Sequence, residues 1–381
     1  MPGPLVGIRI IEIAGIGPAP FATMILSDLG AEVIRVDRAG SVRPIPHGGK
    51  NLDLTNRGRR SIGVDLKHPD GAATLLDLVE HADVLIEGFR PGVAERLGFG
   101  PEVCCERNPR LIYGRMTGWG QVGPLAHAAG HDINYISIAG ALAHFGRAGE
   151  KPTPPINMMG DFGGGSMMLV VGVLAALLER ANSGRGQVID AAMVDGAASL
   201  MTMIWGMRAM GVWEGDRGEN LIDTGAPFYD TYETSDGEFI SIGSLEPQFF
   251  AELASRLGLD AELPATQNDR AEWPAMRSRF AELFRSKSRE EWTELLEGTD
   301  VCFAPVLTMD EAPDHPHMRE RGTFVEVDGV LQPGPAPRFS RSQGEVQSPP
   351  PWPGQHTDAA LRDWGIAEEV IAQRRASGAL S

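Results

Sequence analysis

The sequence predicts an α/β fold, with a large Rossmann-like domain on a mostly parallel sheet and a smaller α+β domain inserted into it. Three observations predict this. From the amino terminus to Tyr113, short β-branched runs alternate with segments of helical spacing, the signature of βαβ units. The middle of the chain switches to a hairpin signal followed by amphipathic helices. Finally, 381 residues at 42% hydrophobic and 22% charged exceed one average domain and supply apolar surface for two cores.

Val6 to Ile13 reads as a strand ending at Gly15-Ile16-Gly17, Phe21 to Leu29 as a helix and Glu32 to Val36 as the next strand. Ser61 to Leu66, Val84 to Ile86 and Leu111 to Tyr113 read as further strands, with helices at Pro69 to His81 and Pro101 to Arg107. Helices are expected from Gly164 to Ala181 and from Asp190 to Met210. Tyr229 to Tyr232 and Glu238 to Ile242 flank Ser235-Asp236-Gly237, a hairpin turn. Amphipathic helices follow at Gln248 to Leu257, Ala275 to Phe284 and Arg289 to Leu296, then strands at Val301 to Leu307 and Phe324 to Val330. A Pro-rich stretch around Pro349 to Pro353 leads into a polar helix from Asp358 onward. The expected domains are 1–212, the first part of the large one; 225–320, the small one; and 321–381, a segment returning to the large one.

The net charge of -17 argues against nucleic acid or an anionic membrane as partner. One stretch runs the other way: Arg35 to Lys67 holds Arg35, Arg38, Arg43, Lys50, Arg57, Arg59, Arg60 and Lys67 against Asp37, Asp53 and Asp65. Three cysteines without paired spacing, Cys104, Cys105 and Cys302, suggest neither a disulfide framework nor a metal site, and point to a reducing, cytoplasmic setting. The amino terminus shows no signal peptide. The apolar stretch Met167 to Leu178 is too short for a bilayer and reads as a core helix.

Gly15-Ile16-Gly17 resembles a dinucleotide fingerprint only partly, since the third glycine is missing and Pro18 and Pro20 occupy the turn. Close packing of strand on helix explains it better. Asn56 to Lys67 places cations around a strand, and Glu87-Gly88-Phe89-Arg90-Pro91-Gly92 and Arg96 add more, together suggesting a phosphate-binding rim. Gly130-His131-Asp132-Ile133-Asn134-Tyr135 sets an imidazole, the side chain best suited to proton transfer near neutrality, behind a glycine. Gly160-Asp161-Phe162-Gly163-Gly164-Gly165-Ser166 puts an acid before three glycines and the apolar helix. There Asp161 is expected to cap the helix or to project into a cavity that the glycines leave open, with the helix end favouring an oxyanion. Glu246, in Ser244-Leu245-Glu246-Pro247-Gln248, either begins a helix or orients an imidazole.

Taken together and in this order, the segments resemble the superfamily of family III CoA-transferases and α-methylacyl-CoA racemases over nearly the whole chain. The resemblance implies that His131, assisted by Glu246, and Asp161 serve opposite faces of the carbon next to a thioester carbonyl, exchanging one proton so that R and S 2-methylacyl-CoA interconvert. It further implies CoA contacts from Arg38, Val64, Asp65, Leu66, Lys67, Gly88, Phe89, Arg90, Arg96, Gly130, Asp132, Ile133, Asn134 and Tyr135. The partner is then an acyl-CoA. CoA is part of the substrate, no other cofactor or metal is expected, and the assembly is an interlocked homodimer. The alternative within the superfamily is a CoA-transferase, in which Asp161 attacks the thioester and forms an acyl-enzyme intermediate; the Gly130 to Tyr135 signature favours the racemase.

Overall fold

The computed structural model describes residues 3–259 and 263–381. It divides into two compact units, the first made of Met1–Ala139, Ile156–Leu200 and His317–Ser381, the second of Gly140–Pro155 and Met201–Pro316.

The first unit is organised by a sheet of six strands: β1 (Arg9–Ile13), β2 (Glu32–Arg38), β3 (Arg60–Val64), β4 (Val84–Glu87), β5 (Ile112–Thr117) and β6 (Val188–Ala192). Their order is β3-β2-β1-β4-β5-β6, and all pairings are parallel. The order reverses between β1 and β4, so a crevice opens beyond the carboxyl ends of those two strands, where open α/β sheets bind ligands. Alternation along β1 explains why both faces are buried. Ile10 joins a core with Leu26, Ile112 and Leu169, while Ile11 and Ile13 join another with Ile62, Leu78 and Trp364. A strand covered on both sides reads as a continuous apolar run rather than an alternating one. The helices Pro18–Asp28, Pro69–Val79 and Pro101–Arg107 each begin with proline, where the missing N–H would have had no helical partner.

The second unit carries an antiparallel sheet of β7 (Tyr229–Glu233), β8 (Phe239–Gly243) and β9 (Phe303–Pro305), in that order. The β7–β8 turn uses Gly237 at φ 79°. Helices Pro247–Arg256, Trp273–Phe284 and Arg289–Leu296 contribute Phe250, Phe280, Phe284 and Trp292 to a core under this sheet.

Three expectations need correction. β6 overlaps the start of the helix expected from Asp190 to Met210, which is instead the end of that strand followed by helices Met193–Leu200 and Thr202–Ala209. The strand is five residues long at the sheet edge with Val188 exposed, too short and Ala-rich for its period to show. The run expected from Phe324 to Val330 as one strand is a hairpin, β10 (Phe324–Val327) and β11 (Val330–Pro333). Asp328 and Gly329 turn it at φ 52° and 70°, as a primed turn requires. Residues 140–155 and 201–212, assigned from sequence to the large domain, fold with the second unit. Arg147 pairs there with Asp230 at 2.5 Å, and His144 meets the Trp213 ring edge-on.

Candidate active site

Most candidate side chains of the first unit lie at or beyond the carboxyl ends of strands, as Arg38 does in β2, Val64 in β3 and Gly88 to Arg90 after β4. His131 comes after β5 as the residue preceding helix Asp132–Ile138, with its backbone N–H donating to Asn134 Oδ1 at 3.0 Å. Its side chain is exposed. The Tyr135 ring packs edge-on against Trp119 with centroids 4.8 Å apart, and its hydroxyl donates to the Gly130 carbonyl. A Cβ on Gly118 would stand 2.2 Å from that ring, and one on Gly130 would stand 2.8 Å away. The glycine before His131 is therefore required by the packing of Tyr135.

Asp161 lies within a π-helical stretch, Met158–Met167, that runs on into helix Met168–Ser183. It caps nothing; the expected N-cap is overturned because the helical backbone already begins before it. Nor are the amides around it free for an oxyanion. Those of Gly160 and Asp161 both donate to Asp132 Oδ2, at 2.6 and 2.7 Å. The glycines after Asp161 serve packing rather than substrate entry: a Cβ on Gly164 would lie 2.6 Å from the Ala197 nitrogen, and one on Gly196 would lie 1.8 Å from the Gly164 carbonyl oxygen. Two helical backbones thus touch.

Asp161 Oδ2 accepts from Asn157 Nδ2 at 3.1 Å and stands 3.5 Å from the position of a Cβ on Gly17. The carboxyl accordingly faces the turn after β1, beside the point where strand order reverses. Burial pushes it above the usual carboxylate range; the Asn157 hydrogen bond opposes this, the charge of Asp132 adds to it, and the charge of a protonated His131 opposes it. His131 directly precedes Asp132, whose carboxylate takes the Asp161 amide, so these two segments, 30 positions apart in sequence, lie side by side. Burial raises the Tyr135 hydroxyl above its ordinary range, with the charge of Asp161 adding to this and that of Arg90 opposing it.

The cations separate cleanly by burial. Arg59 is buried and pairs with Glu12, which also receives Arg35. Arg57 is buried and forks onto Asp28 at 3.2 and 2.5 Å, and Arg60 bridges Glu32 and Asp363. The expected rim therefore loses Arg57, Arg59 and Arg60. The acids that neutralise them lie mostly outside the stretch Arg35 to Lys67, so a local charge count could not see them. Arg38, Lys67, Arg90 and Arg96 are exposed, and among the described residues none forms an ion pair.

The remaining expected contacts divide in the same way. Val64 ends β3 and is buried, whereas Leu66 is partly exposed. The Asp65 amide donates to the Ala379 carbonyl at 2.8 Å, and Asp65 Oδ1 accepts the Lys67 amide at 3.0 Å. Gly88 is exposed, and the Phe89 amide is held by Glu87 at 2.6 Å. Ile133 and Asn134 are exposed, while Asp132 and Tyr135 are buried, so their side chains are turned into the protein. Asn157 escaped sequence reading, although its spacing of four from Asp161 on a helix was a usable signal.

In the second unit, Glu246 is exposed at the junction of β8 with helix Pro247–Arg256. The loop before it is firmly held: Gln267 Nε2 donates to the carbonyls of Ser244 and Leu245, both at 3.0 Å, and Ser244 Oγ donates to the Val301 carbonyl at 2.7 Å. A cavity of about 830 Å³ in this unit, lined by His144, Trp213 and Arg217 among others, contains none of the site residues. Its volume is no guide to the chemistry. Among the described residues, no group of three or more His, Cys, Asp or Glu is placed to hold a metal.

Residues 5–357 match the family model described as CoA-transferase family III. The chain belongs to CoA-transferase family III. Among relatives, it is 46% identical to an α-methylacyl-CoA racemase of Mus musculus over 96% of this chain and 95% of that one. It is 43% identical to an α-methylacyl-CoA racemase of Homo sapiens, over 97% and 95%. Among solved structures, a CAIB/BAIF family protein from Brucella suis is similar with a TM-score of 0.81 at 26% identity, covering 96% of this chain and 100% of that one. The six-stranded parallel sheet described above is thus the frame of a family III chain.

Proposed function

We propose that the chain interconverts the R and S forms of 2-methylacyl-CoA thioesters by removing and returning the proton next to the thioester carbonyl. What supports this is the meeting of the two segments: Asp132, next to His131, takes the Gly160 and Asp161 amides on one oxygen, and the Asp161 carboxyl faces the Gly17 turn after β1. Inversion without a redox cofactor needs two acid/base groups, one to take the proton and one to give it back. The thioester carbonyl lets the intermediate carbanion delocalise as an enolate.

Two features favour this over transfer of CoA between acids. The chain is 43% identical or more to two α-methylacyl-CoA racemases. The chain also carries an imidazole, His131, next to the residue that holds the Asp161 amide, whereas acyl transfer through an aspartyl intermediate needs the carboxylate alone.

Arg38, Lys67, Arg90 and Arg96 suit the phosphates of CoA, since each keeps an exposed charge. The backbone of Gly88, Phe89 and Gly130 to Tyr135, with Val64 to Leu66, is proposed to line the rest of that binding surface. Glu246 is proposed to orient His131 and raise its basicity. The reading asks for no cofactor beyond the CoA moiety and no metal, and for a homodimer in the cytoplasm. In deuterated water, enzyme and an enantiopure 2-methylacyl-CoA should give α-deuterated, racemised thioester without any acceptor acid. Exchange that requires a second carboxylic acid would make the protein a transferase.

A further inference from the structure

We infer that Asp132 is a positioning residue of this reaction, its inward carboxylate clamping the Gly160 and Asp161 amides and thereby setting the aim of Asp161. The inference rests on the epimerase reading above and deepens it, moving Asp132 from the ligand surface to the support of the proton donor.

Three observations carry it. One oxygen, Oδ2, takes both amides at 2.6 and 2.7 Å, distances typical of charge-assisted bonds. A Cβ on Gly160 would sit 2.5 Å from that same oxygen, so the glycine before Asp161 exists to admit the carboxylate. The other oxygen, Oδ1, is buried without a hydrogen-bond partner, and no cation pairs with Asp132 among the described residues.

A buried carboxylate without a counter-ion is costly unless hydrogen bonds satisfy it, as the two amides do here. Its charge also opposes loss of the Asp161 proton, as a like charge nearby does. The same two bonds fix the start of the helical stretch Met158–Met167. Because Asp132 is the next residue after His131, one local segment supplies one proton-handling group and sets the position of the other.

The other groups acting on Asp161 are His131 and Asn157, with the Tyr135 hydroxyl close by. Helix Pro18–Asp28 brings the uncharged Phe21 against Phe162, and the Asp195 side chain on helix Met193–Leu200 is exposed. Asp132 is thus the acid in a position to raise Asp161.

Two variants separate clamp from charge. Asp132→Asn keeps an oxygen for the amides and removes the charge; Asp132→Ala removes both. In Asp132→Asn the kcat limb belonging to Asp161 should move to lower pH, with KM for the acyl-CoA within about threefold. In Asp132→Ala, kcat should fall about tenfold to a hundredfold from lost aim. Carbon-13 carboxyl titration of Asp161, assigned with Asp161→Asn, reports the same acidity without turnover, and its midpoint should be lower in Asp132→Asn than in the parent. An unmoved midpoint together with kcat within about threefold in Asp132→Ala overturns the inference. A moved midpoint in a protein whose parent exchanges no α-proton sustains the clamp and instead removes the epimerase reading.

Discussion

Asp161 Oδ2 lies 3.5 Å from where a Cβ on Gly17 would stand, and Gly17 itself holds φ 72° with ψ -117°. The space admits a methyl group, but the backbone does not. A side chain at that positive φ costs about 1–2 kcal/mol, so Gly17→Ala should lower the unfolding free energy read from urea titration by that amount. The strained turn would shift against Asp161, and the α-proton exchange rate of the folded enzyme should fall as well.

His131→Ala and Asp161→Asn should each slow deuterium exchange at the α-carbon by about a hundredfold to ten-thousandfold, the range for loss of an acid/base group. Both should still bind free CoA. Exchange within a few-fold of the parent in either variant removes that residue from the chemistry.

The division of cations by burial predicts two classes of arginine variant. Arg38→Ala and Arg90→Ala should weaken CoA binding in calorimetric titrations and leave the melting curve near that of the parent. Glu12→Gln should do the reverse. It leaves the buried Arg59 without its acid and Arg35 with Asp37 alone, and breaking such a network from one side costs about 3–5 kcal/mol.

Glu87, buried beneath the Gly88 to Arg90 loop, has its carboxyl raised from 4.5 to about 7, chiefly by burial, with the Phe89 amide and Arg115 opposing. The folded state therefore holds this proton more tightly than the unfolded chain. Stability should decline as pH rises between 4.5 and about 7 and level off above, by up to about 3 kcal/mol from this one group. Glu87→Gln should flatten that part of the curve, measured as urea midpoints at several pH values across the window. An equally steep decline in the variant would place the effect elsewhere.

The parallel sheet was legible because short β-branched runs recur from β1 to β5, and three of the helices between them, Pro18–Asp28, Pro69–Val79 and Pro101–Arg107, start at proline. β6 was not, since an edge strand of Val-Ile-Asp-Ala-Ala carries too few apolar residues to announce a period of two. The site was legible as residue types and order, yet not as orientation. Gly164 reads as an open approach and proves to be a helix contact. Asp132 reads as one polar residue beside a histidine and proves to face inward. Arg57 and Arg59 read as a basic surface because their partners, Asp28 and Glu12, stand tens of positions upstream. Burial is decided by the whole fold, and no window of sequence contains it.

The first unit is assembled from three separated stretches of chain. Its edge strand β3 meets residues from the last of these: the His356 amide donates to the Ser61 carbonyl at 2.8 Å, the Gly63 amide to Thr357 Oγ1 at 3.0 Å, and the Ser381 amide to the Gly63 carbonyl at 3.0 Å. During synthesis, then, the second unit leaves the ribosome whole while the first still has an open flank. The nascent chain must shelter that flank, an unpaired strand edge of the kind that invites aggregation, until its final segment is translated.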